Sequence, residues 1–164
     1  FNHYVPMGKP RLMVAFKNGS VDDWVRSEKY DMTIVPFHTG IFKNPAPQSL
    51  DRNGLSLILS SPEQAFLECL HLVPDHYNYM DLYYVMEQLT SLDSDKVQTA
   101  LENTSSQRVK RMFLYMAEKA GHYWFDMLDM DKFGLTTSKL QLVDNGVYIS
   151  KYRITVPKEL NDYE

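Results

Sequence analysis

Three cations, Arg108, Lys110 and Arg111, fall within four residues at the start of an amphipathic stretch, Ser105–Asp129. A helix N-terminus already carries unpaired N–H groups and the positive end of the dipole, so each exposed cation there costs ~0.3–1 kcal/mol. Cations and N–H groups that converge in this way can hold an anion such as a phosphate. A second set, Lys139, Lys151 and Arg153, lies near the end of the chain. Lys151 and Arg153 alternate there with Tyr152, Ile154 and Val156, which predicts a strand with one apolar and one basic face. If that strand lies beside the start of the helix, all six cations form one patch for an anion, a nucleic acid or a partner. The competing reading is a solvated helix face neutralised by Glu102, because exposed charges contribute little to stability. On the patch reading, charge reversal at Arg108 and Arg111 removes function while the melting temperature stays within a few degrees.

Other constellations fit known chemistry less well. Gly19-Ser20 with Asp22-Asp23 is similar to the start of a nucleotidyltransferase site, but that chemistry needs its acids on a strand well beyond the turn. Here they suit the first turn of a helix, where carboxylates favour the dipole. Asp129-x-Asp131-x-x-Gly134 imitates the opening of a calcium loop, yet Phe133 and Leu140 stand where oxygen ligands are required. His71, Asp75 and His76 have no zinc spacing, and Cys69 is expected in the core beside Phe66. No metal or cofactor site is therefore expected, and no catalytic residue is assigned. Tyr77, Tyr79, Tyr83, Tyr84, Tyr115, Tyr123 and Trp124 could stack bases or line an interface. At helical spacing they equally fit a core edge with hydroxyls reaching water.

The elements that must position these residues follow from periodicity. Val109, Met112, Phe113, Met116, Ala117 and Ala120 recur at helical spacing, with Ser105 as the cap and Gly121 beyond the end. Ser61, Pro62 and Gln64 open another helix with a capping box, whose inner face is expected to be Ala65, Phe66, Cys69 and Leu70. Further helices are expected from about Tyr77 to Leu92, over Asp95–Asn103, over Val21–Lys29 and, briefly, over His122–Leu128. Strands are expected at Arg11–Lys17, largely buried, at Asp31–Phe37, with Pro36 at an edge or end, and at Leu55–Leu59. Residues 38–53 read as a loop. Leu140–Val143 and Val147–Ile149 flank Asp144-Asn145-Gly146, a strong hairpin signal.

The 164 residues suit one domain with a real core. A single cysteine rules out an intrachain disulfide and suits a reducing cytoplasm. No apolar run reaches the ~18–20 residues that span a bilayer, so no membrane partner is expected. Residues 1–104 hold eight Lys and Arg against thirteen Asp and Glu, and residues 105–164 nine against eight, for a net charge of −4. Such a chain lacks the surplus that drives strong non-specific DNA binding, so a nucleic-acid contact needs a local patch.

Two segments, NGLSLILSSPEQAFLECLHLVP and RVKRMFLYMAEKAGHYWFDMLD, with the tail KYRITVPKEL, resemble AbiEi-family antitoxins, the antitoxin half of bacterial type IV toxin–antitoxin pairs. FNHYVPMGKPRLMVAF is similar to the point where that family leaves its N-terminal winged helix, so residues 1–10 read as the tail of that portion and the chain as a C-terminal antitoxin domain. The chain departs from the family at Gln64, where Arg is usual. It departs again at Thr136-Thr137-Ser138-Lys139-Leu140, which replaces a glycine-rich Gly-Ser-Gly-Lys-Arg run. Without glycines the backbone does not readily curl around a phosphate. The resemblance implies a cytoplasmic, non-enzymatic transcriptional regulator that opposes a nucleotidyltransferase toxin without a stable complex. Operator DNA is read mainly by the winged helix. One alternative is a protein-interaction module docking through Tyr83–Leu92. Another is an enzyme acting on nucleotides or nucleic acid through acids such as Asp31, Asp51 and Glu63.

The expected fold is a single α+β domain over residues 1–164. A small mixed β-sheet is packed by four or five helices, the last strands form an antiparallel hairpin, and the two ends of the chain meet in a sheet.

Overall fold

A computed structural model of the chain describes residues 11–16, 32–44, 47–52 and 54–164. The expectations for residues 1–10, the Gly19–Asp23 constellation, the Val21–Lys29 helix and Asp31 lie outside these. The chain divides into two compact units, Phe1–Phe42 and Lys43–Glu164.

In the first unit, β1 (Arg11–Phe16) pairs in parallel with β2 (Thr33–His38), Arg11 opposite Thr33 and Phe16 opposite His38. Both strands are edges of a two-stranded sheet, so Pro36 sacrifices no interior ladder bond. β1 is half exposed instead of largely buried.

The second unit opens with a hairpin of β3 (Pro47–Arg52) and β4 (Leu55–Ser60). β3 lies in the stretch expected to be a loop. Its Pro47, Gln48, Ser49 and Asp51 have no apolar alternation, and cross-strand pairing to β4 supplies the order that propensity does not. α1 (Pro62–His71) starts as expected, the Ser61 side chain accepting from Gln64 N–H at 3.3 Å. The reciprocal half of the capping box is not made. Gln64 instead donates to the buried Glu68 carboxylate, which also accepts from Ser60. Phe66, Leu67 and Leu70 are buried, while Ala65 and Cys69 are only half buried.

α2 (Tyr79–Gln88), capped by Asn78, and α3 (Ser94–Glu102), capped by Asp93, lead to α4 (Gln107–Lys119). The α4 cap is Ser106, one residue later than expected, and Gly121 follows its end at φ +69°. Every residue from Val109 to Ala117 is buried, so α4 is the central helix of the unit and not an amphipathic surface helix. Short 3-10 turns at Tyr123–Met127 and Met130–Phe133 follow.

The last sheet is mixed, with β7 (Ile154–Val156) between β5 (Leu140–Gln141), parallel to it, and β6 (Val147–Ile149), antiparallel to it. The C-terminal hairpin is therefore β6–β7. The Asp144-Asn145-Gly146 turn, with Asn145 at φ +54°, does not join paired strands. A Cβ on Gly146 would lie 2.2 Å from the Val156 carbonyl oxygen, so this glycine brings the chain against β7. Pro157 ends β7 and leads into α5 (Lys158–Asp162), which periodicity did not announce. Among the described residues the strands form three separate sheets, and the first strands share none with the last. The fold is α+β, with five helices and one mixed sheet among the described residues.

Candidate functional site

The start of α4 carries the expected cations in the expected turns, but their nitrogens are directed at carbonyl oxygens. Arg108 donates from Nη1 to Val73 O (2.6 Å) and from Nη2 to His71 O (2.9 Å), carbonyls at and just beyond the C-terminal end of α1. It also hydrogen-bonds the Tyr79 hydroxyl, whose pKa burial nevertheless raises. Lys110, 6% exposed, donates from Nζ to Phe133 O at 2.7 Å. Burial lowers its pKa, the like charge of Lys43 adds to this, and Glu102 opposes it. Glu102 thus influences Lys110, as the solvated-face reading supposed, although the lysine itself is buried.

Arg111 is the centre of the arrangement. It is 1% exposed, and its guanidinium donates to Thr136 O, Thr136 Oγ1 and Ser138 O, the last at 2.7 Å, with a longer contact to Arg153 O at 3.5 Å. From the other side, Arg153 Nη1 donates to Thr137 O at 2.6 Å. Three successive carbonyls, from 136 to 138, therefore face two guanidinium groups. A phosphate cradle needs the opposite polarity, N–H groups turned inward. Here the loop wraps a cation that the chain itself supplies. Burial and the nearby Arg153 charge both lower the Arg111 pKa.

The other cations lie further out. Lys139 is exposed and sits over the Tyr148 ring at 5.2 Å. Lys151 pairs with Glu118, which also accepts from Tyr152 Oη at 2.8 Å. Burial opposes ionisation of Glu118, but the hydrogen bonds from Lys151 and Tyr152 and the Lys151 charge outweigh it and hold the carboxyl below its usual range. Tyr152 is pushed well up by burial and then by its bond to Glu118. Lys151 and Arg153 belong to the turn before β7, not to the strand itself, and Arg153 adopts φ +53°.

Of the six cations, the structure gathers Arg111 and Arg153 on the 136–138 loop, with Lys139 next to it in sequence. Arg108, Lys110 and Lys151 hold different partners. Burial of Arg111 and Lys110 also removes the basis for expecting charge reversal at the start of α4 to spare stability.

Sequence reasoning missed the buried role of these residues, though one signal was available. Met112–Ala117 contains no charged residue, so that turn and a half of helix has no solvated face. His122 and Trp124 act in the same way on α2: a His122 ring nitrogen lies 2.6 Å from Met86 O, and Trp124 Nε1 donates to Leu89 O at 2.9 Å. Lys119 donates to Asn161 O in α5 and to Tyr163 O just beyond it.

Tyr79, Tyr83, Tyr115 and Trp124 are buried, whereas Tyr84 and Tyr123 are exposed. Burial pushes the Cys69 thiol up to about 11, which keeps it protonated at neutral pH. Asp51 is exposed on β3, while Glu63 is buried and accepts from Asp93 N–H at 3.4 Å. Among the described residues no group of three His, Cys, Asp or Glu is placed to hold a metal, and no helix is long and apolar enough to cross a membrane.

A family model described as "Transcriptional regulator, AbiEi antitoxin, Type IV TA system" matches residues 11–157. The chain belongs to the AbiEi antitoxin family. The match spans the β1–β2 pair, α4 and the arginine-wrapped loop, and ends just after β7. No curated protein and no solved structure matches the chain at a significant level. In this AbiEi chain the carbonyls of Thr136, Thr137 and Ser138 hold Arg111 and Arg153.

Proposed function

We propose that this chain is the antitoxin portion of a cytoplasmic, non-enzymatic regulator, which opposes a nucleotidyltransferase toxin and supports operator binding by a winged helix outside the described residues. The observation that carries this reading is the family match over residues 11–157. In this reading the toxin is opposed without a stable complex, and the operator is contacted mainly by the winged helix.

The six cations take two parts. Arg108, Lys110 and Arg111 form the frame, because their donors are committed to carbonyl oxygens. Lys139, Lys151 and Arg153 are exposed and supply the anion-contacting or partner-contacting groups, Lys151 from a surface pair with Glu118 and Arg153 from the nitrogens not bonded to Thr137 O. Such a face adds a few contacts to phosphates and little sequence information.

Co-expression with a nucleotidyltransferase toxin of a type IV system tests the reading. The chain is expected to restore growth, and a K139E/R153E variant to lose operator affinity when joined to its winged helix. Failure of the wild-type protein to restore growth would overturn the antitoxin assignment. Unchanged operator affinity in the variant would remove the face.

A further inference from the structure

Away from the cations, a groove of about 560 Å³ opens in the second unit between the start of α2, the segment after α1, the residues after β5 and the start of α5. Its size falls within the ~300–1,000 Å³ typical of ligand sites. Pro74, Met80, Leu142, Val143 and Pro157 give it apolar walls. The exposed charges on its rim are the carboxylates of Asp81 and Glu159. Arg108 also lines it, half-buried; its bonds to Val73 O and His71 O hold the guanidinium in place but leave its positive charge, so with Asp81 and Glu159 the lining carries one net negative charge, and both carboxylates lie at the exposed rim.

Tyr84 stands at the mouth, 39% exposed. Its ring is held edge-on against Tyr163, with centroids 5.4 Å apart at 76°. Beyond partial burial, its hydroxyl pKa is raised by Tyr163 and by the carboxylates of Glu159, Asp81 and Glu87. Asn78 Nδ2 donates to Asp81 Oδ2 at 2.6 Å and fixes that carboxylate at the rim.

An oriented aromatic ring flanked by carboxylates attracts an ammonium or guanidinium group. The apolar walls accept the neighbouring side chains. Phosphate is repelled by the same rim, and a second copy of the chain, with a net charge of −4, offers poor complementarity.

We propose that this groove docks an extended, lysine- or arginine-bearing segment of a protein partner, its cation over Tyr84 between Asp81 and Glu159 and its apolar side chains against Pro74, Val143 and Pro157. The function goes beyond operator binding and toxin opposition, and does not depend on either.

The test is an NMR titration of the full chain with acetyl-Leu-Arg-Leu-Lys-amide. Saturable shifts are expected at Tyr84, Val143 and Glu159. Affinity is expected to fall about tenfold in D81N/E159Q and in Y84A, with the remaining spectrum unchanged. The charge-reversed peptide acetyl-Leu-Glu-Leu-Glu-amide is expected not to bind. Absence of saturable shifts at millimolar peptide overturns the proposal. So does equal binding of the acidic peptide or by the double variant. A duplex oligonucleotide that moves the same resonances assigns the groove to nucleic acid instead. Concentration-dependent dimerisation lost in D81N/E159Q assigns it to a second copy. Either result also overturns the proposal, and neither bears on growth rescue.

Discussion

The start of α4 and the groove beside α2 are near opposites. The first is rich in positive charge along the sequence, yet Lys110 and Arg111 are buried and their donors are directed to backbone oxygens. The second carries two carboxylates beside the half-buried Arg108, yet both are exposed at the rim next to an accessible aromatic ring. Charge density along a chain is therefore a poor guide to charge available to a ligand. What decides availability is whether unsatisfied carbonyls lie within reach. Loops and helix ends supply them wherever the chain turns back on a central helix.

The largest test of this contrast is Arg111→Ala. It leaves the carbonyls of Thr136 and Ser138 without their guanidinium, and unpaired polar groups cost ~1–3 kcal/mol each when buried. Because that loop is exposed and part of the loss is recovered by water, about 2–4 kcal/mol of stability is expected to go in urea unfolding. A loss below about 1 kcal/mol would show the arginine to be a surface charge after all.

Arg108→Ala sharpens the comparison, because this residue touches both regions. Loss of its bonds to Val73 O, His71 O and Tyr79 is expected to cost about 1–3 kcal/mol. Groove resonances at Tyr79 should move in the same variant.

Glu118→Gln is intermediate. The folded-state pKa of Glu118 lies below its unfolded value, so its contribution is present above the ordinary carboxylate range and disappears as pH falls through the depressed value. With both partners well exposed, the cost at neutral pH is expected to be ~0–1 kcal/mol, fading in acid unfolding curves. A difference that grows on acidification would contradict the pairing with Lys151. The smallest effect belongs to the groove. Glu159→Gln is expected to change stability by no more than ~0.5 kcal/mol, since the exposed carboxylate has no structural task there.

Much of the architecture was legible. Ser61-Pro62 marks the start of α1 and Gly121 the end of α4, because caps and left-handed positions constrain residue type locally. The hairpin near the C-terminus was legible in kind but misplaced. Asp144-Asn145-Gly146 has turn composition, but Gly146 is needed for the approach to Val156, a contact no local pattern encodes. β3 was hidden because its order comes from its partner strand. The candidate site was less legible still. The helical position of Arg111 could be read from spacing, but its acceptors lie 25 to 42 residues further along the chain. No periodicity reports where a guanidinium finds its oxygens.

The order β5-β7-β6 also has a consequence for synthesis. Both flanking strands depend on a middle strand that the ribosome makes after them. Until Ile154–Val156 emerges, the edges of β5 and β6 stand open and the guanidinium of Arg111 lacks its full enclosure. Premature termination in this stretch would therefore release a nascent chain with its central helix already made and its closing strand missing, a ready substrate for quality-control proteases.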